Sequence, residues 1–254
     1  MDLHVNEMFG PTYQGEGRSV GRRCVFLRLA KCNLNCVWCD TPYTWAYSQR
    51  KAALHREGKV YDIKQESQKM PPEEVVAALR DLDRSNPNLV VISGGEPMMQ
   101  QAGIAEVVGA MSSTLFEIET AGTIAPINEL LREYSSFGPT LSQVRYNVSP
   151  KLASSGNSLK ERRVWESLFA FEKYYDAIFK FVVTKDTWIE DVAEITAIQT
   201  HLNLHSSRIY IMPEGTTRQG QIESMEFFAD SVLDIGWNLT PRLHTLIWGD
   251  ERAR

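Results

Sequence analysis

The sequence lacks long apolar runs, internal repeats and an excess of positive charge. Its apolar stretches are all shorter than the roughly 18 to 20 residues that span a bilayer, so no membrane-spanning segment is expected. The 27 Lys and Arg against 32 Asp and Glu give a net charge of −5 at pH 7, which argues against a nucleic-acid partner. The acidic start, Met-Asp-Leu-His-Val-Asn-Glu, is not a secretion signal, and we expect a cytoplasmic protein.

Cysteine is also scarce. Only four cysteines occur among 254 residues, and Cys32, Cys36 and Cys39 fall within eight positions. In a reducing compartment such a group favours a metal or iron–sulfur site over disulfides. The content of 43% hydrophobic and 23% charged residues is typical of a globular chain and excludes a disordered or coiled-coil one.

Six short apolar runs alternate with helix-length segments after residue 20. These runs are residues 24–30, 89–92, 115–119, 144–149, 177–183 and 208–212. Their alternation predicts one α/β domain over residues 1–254, with a parallel sheet and right-handed crossovers. The pattern alone does not separate an open sheet from a partial or full barrel.

Residues 43–70 interrupt this alternation. The segment has six basic residues, Arg50, Lys51, Arg56, Lys59, Lys64 and Lys69, against three acidic ones. We interpret it as a solvated polar insertion with some helix around 46–57. The alternative is a docking surface for an acidic partner.

The spacing CxxxCxxC places three soft thiolate ligands on one short loop. A structural zinc site needs four protein ligands, and no partner is evident, since Cys24 lies within a predicted strand and none of the five histidines has a partner spacing. Three ligands would leave one iron of a four-iron cluster open for a substrate or cofactor. Zinc held with a distant fourth ligand stays an alternative.

CxxxCxxC with Trp38 before the last cysteine resembles the signature of the radical S-adenosylmethionine (SAM) superfamily. The resemblance implies a [4Fe–4S] cluster on Cys32, Cys36 and Cys39, with SAM chelated by the open iron. The run Ser93-Gly94-Gly95-Glu96-Pro97 directly follows an apolar run. It matches the superfamily's GGE motif, in which the glutamate is an acceptor for the cofactor's amine.

Further motifs resemble the 7-carboxy-7-deazaguanine synthases. They occur in order as FGPTxQGEG from Phe9, which we interpret as a loop, FxRxxxCxxxCxxCDT from Phe26, SGGEP, and the weaker ETxG, SPK and MPEG. The resemblance implies an incomplete (βα)6-type barrel and a homodimer that uses Mg²⁺. It also implies conversion of 6-carboxy-5,6,7,8-tetrahydropterin to 7-carboxy-7-deazaguanine with loss of ammonia, after a 5′-deoxyadenosyl radical abstracts the C6 hydrogen.

The same resemblance implies a set of site residues, none of them a protein acid or base. The cofactor set is Trp38, Cys39, Asp40, Gly95, Glu96, Ser149, Pro150, Lys151, Met212, Pro213, Glu214 and Gly215. The substrate set is Tyr13, Gln14, Gly15, Arg28 and Ser93. Arg28 fits a bidentate carboxylate clamp, or else pairs with a structural carboxylate. Thr41 is the candidate magnesium ligand, or else caps the turn at Pro42.

Other hypotheses stay open at this point. A glycyl-radical activase is a second radical enzyme, but it often has extra cysteines, and only Cys24 remains. A non-enzymatic zinc or iron–sulfur protein is a third possibility. The electron donor is expected to be a protein such as flavodoxin. The sequence leaves open whether Glu119-Thr120 contacts a ligand or Thr120 caps a helix, and it favours a structural role for His244. How the C-terminal extension 236–254 closes the site is also open.

Overall fold

The computed structural model describes residues 1–83, 87–130, 143–174, 177–249 and 251–254. Its strands form one nine-stranded sheet in the order β3-β1-β2-β4-β5-β6-β7-β8-β9. They are β1 (Leu3–Tyr13), β2 (Arg23–Leu29), β3 (Gln68–Met70), β4 (Leu89–Gly94), β5 (Leu115–Thr120), β6 (Val144–Val148), β7 (Ala177–Val183), β8 (Ile209–Pro213) and β9 (Asn238–Leu239).

Nine α-helices lie within the described residues. They are α1 (Gln49–Ala52), α2 (Ile63–Glu66), α3 (Pro72–Leu82), α4 (Gln101–Ala110), α5 (Leu159–Arg162), α6 (Trp165–Glu172), α7 (Trp188–Leu202), α8 (Arg218–Ile235) and α9 (Leu243–Trp248). None of the helices described here is both long enough and apolar enough to cross a membrane.

The prediction of an incomplete six-stranded parallel barrel is confirmed. Strands β2, β4, β5, β6, β7 and β8 are consecutive neighbours, and every neighbouring pair is parallel. Over the described ranges the sheet ends at β3 and β9, so it is not closed. All seven residues of β7 are buried, as are residues 89–92 of β4. Burial on both faces explains why these strands are continuous apolar runs in the sequence.

The prediction of a loop beginning at Phe9 is wrong for its first half. Strand β1 continues to Tyr13, which pairs with Arg23 of the antiparallel β2. A register shift between Phe9 and Thr12 contains Gly10 and Pro11. Proline has no N–H to donate, and such an irregularity accommodates it without ending the strand. The loop itself therefore begins at Gln14.

The insertion 43–70 is less helical and less solvated than predicted. Its only helix within 46–57 is the single turn α1. Trp45, Ala46 and Ala52 are buried, and they pack with Tyr61 and two cysteines of the CxxxCxxC loop. The start of the insertion is therefore a wall of the molecule beside that loop, while its basic residues remain on the outside.

Candidate active site

One cavity opens at the carboxyl ends of the parallel strands, where barrel folds present their functional side chains. Fifteen of the predicted site residues line it. They are Tyr13, Gln14, Arg28, Cys32, Cys36, Trp38, Cys39, Asp40, Thr41, Ser93, Gly95, Ser149, Lys151, Met212 and Glu214. The other five, Gly15, Glu96, Pro150, Pro213 and Gly215, are not in its wall. The fold thus brings together motifs that are scattered along the chain.

The three predicted cysteine ligands share this cavity. Zinc binds thiolates at about 2.3 Å, which holds the sulfurs of one ion less than about 4.6 Å apart. Within the ranges described above, Cys32, Cys36 and Cys39 do not form a group whose sulfurs all lie within 4.8 Å of one another. As placed, the three sulfurs are therefore not gathered as closely as ligands of a single zinc ion would be.

Each cysteine sulfur accepts a hydrogen bond from a protein donor. The Leu34 backbone N–H donates to Cys32 Sγ at 3.4 Å. Asn157 Nδ2 donates to Cys36 Sγ and Trp45 Nε1 to Cys39 Sγ, both at 3.3 Å. Such donors stabilise thiolate charge and tune cluster potentials. Sequence analysis missed the Asn157 and Trp45 side chains, because neither belongs to the cysteine motif.

The fourth cysteine lies apart from this group. Cys24 is buried in β2, where it packs with Leu89 and Val91 of β4. Burial raises the pKa of its thiol to about 12. Cys24 is not in the cavity wall, which agrees with its prediction as a core residue of a strand.

The SGGEP loop packs directly on the cysteine loop. A Cβ on Gly95 would lie 1.9 Å from the Lys31 carbonyl oxygen, so this approach needs glycine. Glu96 is 1% exposed. Its carboxylate accepts hydrogen bonds from Met98 N, Thr120 Oγ1 and Ala121 N, at 3.0, 2.7 and 2.8 Å. Glu96 therefore ties this loop to the end of β5, and Thr120 has a structural partner there.

Two of the predicted cofactor residues, Lys151 and Trp38, lie against each other beside the cysteines. Lys151 Nζ lies 5.8 Å from the centre of the Trp38 ring and donates to Ser149 Oγ at 3.0 Å. Trp38 Nε1 donates to the Ser154 carbonyl at 3.0 Å, which holds the ring in place. Lys151 thus presents a positive charge to the cavity close to the cysteine loop.

The opposite side of the cavity is built from buried ion pairs. Lys180 Nζ contacts Glu16, and it donates to Glu119 Oε2 at 2.6 Å. Arg242 contacts Asp40 and donates from Nε to Glu16 Oε1 at 3.3 Å. A continuous chain of alternating charge therefore runs from the sheet to the cysteine loop, in the order Glu119, Lys180, Glu16, Arg242 and Asp40.

Charge pairing outweighs burial in this chain. Burial alone would raise the pKa of Glu16, but Lys180 and Arg242 lower it well below the ordinary value. Burial would lower the pKa of Lys180, yet Glu119 and Glu16 raise it. At Glu119 burial prevails, and together with the like charges of Glu16 and Glu117 it raises the pKa despite Lys180. At neutral pH, Glu16 is therefore a carboxylate and Lys180 an ammonium.

A second carboxylate of β5 lies behind Glu119. Glu117 accepts from Gln14 Nε2 at 2.6 Å and from Asn147 Nδ2 at 2.9 Å. The same two amides donate to Glu119 at 3.0 Å. The predicted substrate residue Gln14 is thus held by protein partners on its amide nitrogen. A charged residue within an otherwise apolar strand is the sequence signal that would have found Glu117 and Lys180.

Arg28 pairs with a structural carboxylate, and its role as a carboxylate clamp stays a prediction. Its Nε donates to Glu7 Oε1 at 2.7 Å, so it does pair with a structural carboxylate. Neither of its terminal nitrogens donates a hydrogen bond to any described residue, although the side chain lines the cavity. The end of the guanidinium is therefore available for a ligand.

Residues 240–248 of the C-terminal extension pack on the QGEG loop. Leu243 N donates to the Gly15 carbonyl at 2.9 Å, and the Trp248 ring stacks on Tyr13 with centres 6.4 Å apart. A Cβ on Gly15 would lie 2.2 Å from His244 Nδ1, so glycine is needed here too. His244 lines the cavity, and burial together with Arg242 lowers its pKa. The extension thus forms one wall of the site.

Two places in the structure offer side-chain atoms that could coordinate a metal ion: Thr41, and the group of Glu16, Asp40 and His244. Thr41 makes no capping hydrogen bond to the turn at Pro42, so the capping alternative is wrong; its hydroxyl lies 3.6 Å from Cys39 Sγ and lines the cavity. Glu16, Asp40 and His244 bring ligand atoms within 4.8 Å of one another. Arg242 pairs with both of those carboxylates, so their charge is already balanced.

Comparison with known proteins places this site in a family. The radical SAM superfamily model matches residues 28–181. A 7-carboxy-7-deazaguanine synthase from Pyrobaculum aerophilum is 30% identical over 99% of this chain and 97% of its own length. One from Bacillus subtilis is 28% identical over 99% and 98%. These matches favour the synthase over a glycyl-radical activase or a non-enzymatic metal protein.

A solved structure agrees in fold. The crystal structure of QueE from Escherichia coli has a TM-score of 0.66 and 21% sequence identity, and the match covers 94% of this chain and 93% of that one. With the superfamily model across more than half of the chain and an end-to-end relative at 30% identity, the chain belongs to the radical SAM superfamily and, within it, to the 7-carboxy-7-deazaguanine synthase family.

Proposed function

We propose that this enzyme converts 6-carboxy-5,6,7,8-tetrahydropterin to 7-carboxy-7-deazaguanine and ammonia. The superfamily uses a [4Fe–4S] cluster and SAM, and we assign the cluster to Cys32, Cys36 and Cys39. When bound, these groups supply the 5′-deoxyadenosyl radical that abstracts the C6 hydrogen of the substrate. The protein's own residues then have to bind and orient the substrate and keep water out.

The observation that carries this proposal is the free end of Arg28. Arg28 lines the cavity that also holds the three cysteines, and neither of its terminal nitrogens donates to a described residue. A guanidinium end pairs bidentately with a carboxylate, and the substrate carries one carboxylate, on the carbon that loses hydrogen. Binding at Arg28 would therefore orient the reacting carbon as well as hold the ligand.

The charged side of the cavity suits the other end of a pterin. Glu119 lines the cavity, and Lys180, its one cationic partner among the described residues, is shared with Glu16. A pterin's pyrimidinone edge has N–H donors, which a carboxylate accepts. Gln14 and Asn147 hold Glu119 from behind, so it would act as a fixed acceptor.

We propose that SAM lies along the opposite wall. The Lys151 ammonium would pair with the methionine carboxylate, while the Gly95 backbone and the Trp38–Asp40 segment would contact the amine and the adenosine. Two pairs of residues that follow strands β6 and β8 stay in this proposal, Ser149 with Pro150 and Glu214 with Gly215. So do Met212 and Pro213, the last two residues of β8. Because Glu96 has three protein donors, its main contribution would be to hold the loop.

A magnesium ion at Thr41 is a further part of the proposal. Magnesium takes oxygen ligands and keeps several waters, so one hydroxyl suffices only if substrate oxygens complete the shell. Thr41→Ala should lower turnover and its stimulation by Mg²⁺, with the iron–sulfur spectrum and SAM binding unchanged. Equal magnesium responses in wild type and variant would contradict the assignment.

The electron donor and the oligomeric state are also proposed here. An acidic protein such as flavodoxin would dock on the basic insertion, where Arg50 is exposed and Lys51 is partly exposed.

Assembly is expected to be a homodimer, as the family resemblance implies, and a monomer by light scattering of the reconstituted enzyme would contradict that.

The test of the function is anaerobic turnover. The reconstituted enzyme with SAM and dithionite should form 7-carboxy-7-deazaguanine from the carboxylated tetrahydropterin. Tetrahydropterin without the carboxylate should not be processed, and Arg28→Ala should lose at least about tenfold in kcat/KM, as expected for a charge-assisted pair. SAM cleavage without any deazapurine product would overturn the proposal.

A further inference from the structure

The carboxylate that anchors Arg28 is held from a second side. Glu7 lies opposite Arg28 in the β1–β2 ladder. Its Oε1 accepts from Arg28 Nε at 2.7 Å, and its Oε2 accepts from Arg252 Nε at 2.8 Å. Glu7 and Arg28 are both mostly buried, with side-chain exposures of 15% and 14%. One carboxylate therefore bridges the candidate substrate clamp and the C-terminal segment.

Arg252 is itself fixed by several contacts. Its guanidinium donates to Glu66 Oε2 at 2.8 Å and to Asn6 Oδ1 at 3.2 Å. It also lies over the Tyr43 ring, 4.0 Å from the centre, within range of a cation–π interaction. These contacts join Arg252 to β1 and to two parts of the insertion, Tyr43 and the end of α2, so the guanidinium is held from several sides.

The segment also borders the site. Residues 251–254 line a second cavity, which shares Arg28, Thr41 and His244 with the first. Arg28 therefore lies where the two cavities meet, beside the docked C-terminal segment.

The geometry suggests what Arg252 does for the clamp. A carboxylate beside an arginine can take Nε and one terminal nitrogen together as a bidentate pair. Glu7 takes only Nε of Arg28, because Arg252 holds its other oxygen. If Arg252 were removed, Glu7 would be free to rotate and occupy a terminal nitrogen as well. That nitrogen is one of the two that an incoming carboxylate needs.

We propose that Glu7 is a positioning residue for Arg28, and that Arg252 keeps Glu7 in the one-sided arrangement that leaves the end of Arg28 open to the substrate's carboxylate. The proposal rests on the proposed function, since it assumes that Arg28 receives a carboxylate. It adds that Arg252, acting through Glu7, controls how well that carboxylate is recognised.

The test compares two stable ligands on the reconstituted enzyme with SAM. The affinities of 6-carboxypterin and of pterin are measured by fluorescence titration, and their ratio reports recognition of the carboxylate alone. We expect wild type to prefer 6-carboxypterin by about tenfold or more, the value of one strong charged pair. Arg252→Gln should lower this preference severalfold and leave pterin binding unchanged. Arg252→Lys, which keeps the charge, should restore part of it.

Glu66→Gln is the matched control, because Glu66 contacts the same guanidinium but not Arg28. It should change the preference by less than about twofold, the scale of an exposed polar contact. Glu7→Gln should lower the preference at least as much as Arg252→Gln; should that variant not fold, the exposed Arg252 decides the outcome alone.

Failure of the proposed function and failure of the positioning role would give different results. A wild type without preference for 6-carboxypterin would overturn the proposed role of Arg28, and with it the proposed function. A strong wild-type preference that Arg252→Gln leaves intact would overturn only the positioning role. Equal losses in Arg252→Gln and Glu66→Gln would also overturn it, since docking of the segment in general, not Glu7, would then control the site.

Discussion

The two sides of the cavity are built in different ways. On one side, three cysteine sulfurs come from a single loop, residues 32–39, and their described hydrogen-bond partners are neutral groups. On the other side, Glu16, Lys180, Glu119 and Arg242 come from four separate parts of the chain and pair charge against charge. The cysteine side is local and suits a cluster, whereas the charged side depends on the whole fold and suits a polar substrate.

The largest expected effect is a loss of stability when an ion pair on the charged side of the cavity is broken. Lys180 is 3% exposed and pairs with two carboxylates. Lys180→Met would remove the cationic partner of Glu119 and leave Glu16 with Arg242 alone. Breaking a buried ion pair in this way typically costs about 3–5 kcal/mol of unfolding free energy. Urea unfolding of the apoprotein measures the loss. Lys185→Met, at an exposed position two residues beyond β7, is the matched control, and equal losses in both variants would contradict the importance of the ion pairs.

The pH dependence should come from the charged side as well. The folded pKa of Glu16 is lowered, so the stability it contributes is present above its ordinary value near 4.5 and is lost as pH falls below it. We therefore expect wild type and Glu16→Gln to differ in unfolding free energy at pH 7 and to converge at low pH. A difference that grows on acidification would have the wrong sign.

The cysteine side should respond in its redox potential. Trp45→Phe removes the donor to Cys39 Sγ, which stabilises the more negative, reduced cluster. A hydrogen bond worth about 1 kcal/mol corresponds to roughly 40 mV for one electron, so the potential should fall by about that amount. Redox titration followed by EPR measures it. Trp165→Phe, whose ring packs on His201, should leave the potential unchanged.

The smallest effect concerns the outer face of the cysteine side. Changing Arg50, Lys51 and Arg56 to Glu should slow turnover driven by flavodoxin, and dithionite-driven turnover should be unaffected. The difference should shrink as salt rises, because screening shortens to roughly 10 Å at 0.1 M. Arg56 also pairs with Glu214 at 2.9 Å, so the Arg50/Lys51 double variant separates docking from that contact. Equal rates with flavodoxin at low salt would contradict docking here.

The same contrast explains what could be predicted from the sequence. The six parallel strands are evident because burial on both faces makes them apolar runs. The cysteine loop and the SGGEP turn are contiguous, so their spacing is visible directly. Strand β1 was misjudged beyond Phe9, since Gly10 and Pro11 are typical of loops and only pairing with β2 keeps them in the strand.

The charged side could not be predicted from spacing. Arg242 and its partner Glu16 are 226 positions apart, and Lys180 and Glu16 are 164 apart. Only the order of the strands in the sheet and the return of the C-terminal extension bring them together. The sequence contained only a weaker signal of this side, namely one lysine and two glutamates within otherwise apolar strands. Charged side chains buried in this way need partners of opposite charge or hydrogen-bond donors and acceptors.

The central claim is that three cysteines of one loop hold a four-iron cluster in this cavity, while the fourth cysteine only packs the core. The direct measurement is iron and sulfide content with the EPR spectrum of the reduced protein, for single alanine variants of Cys24, Cys32, Cys36 and Cys39. Cys24→Ala should keep about four irons per chain and a spectrum that SAM alters, as a cluster with an open iron requires. Each of the other three should lose both, and a cluster that survives Cys32→Ala but not Cys24→Ala would contradict the account.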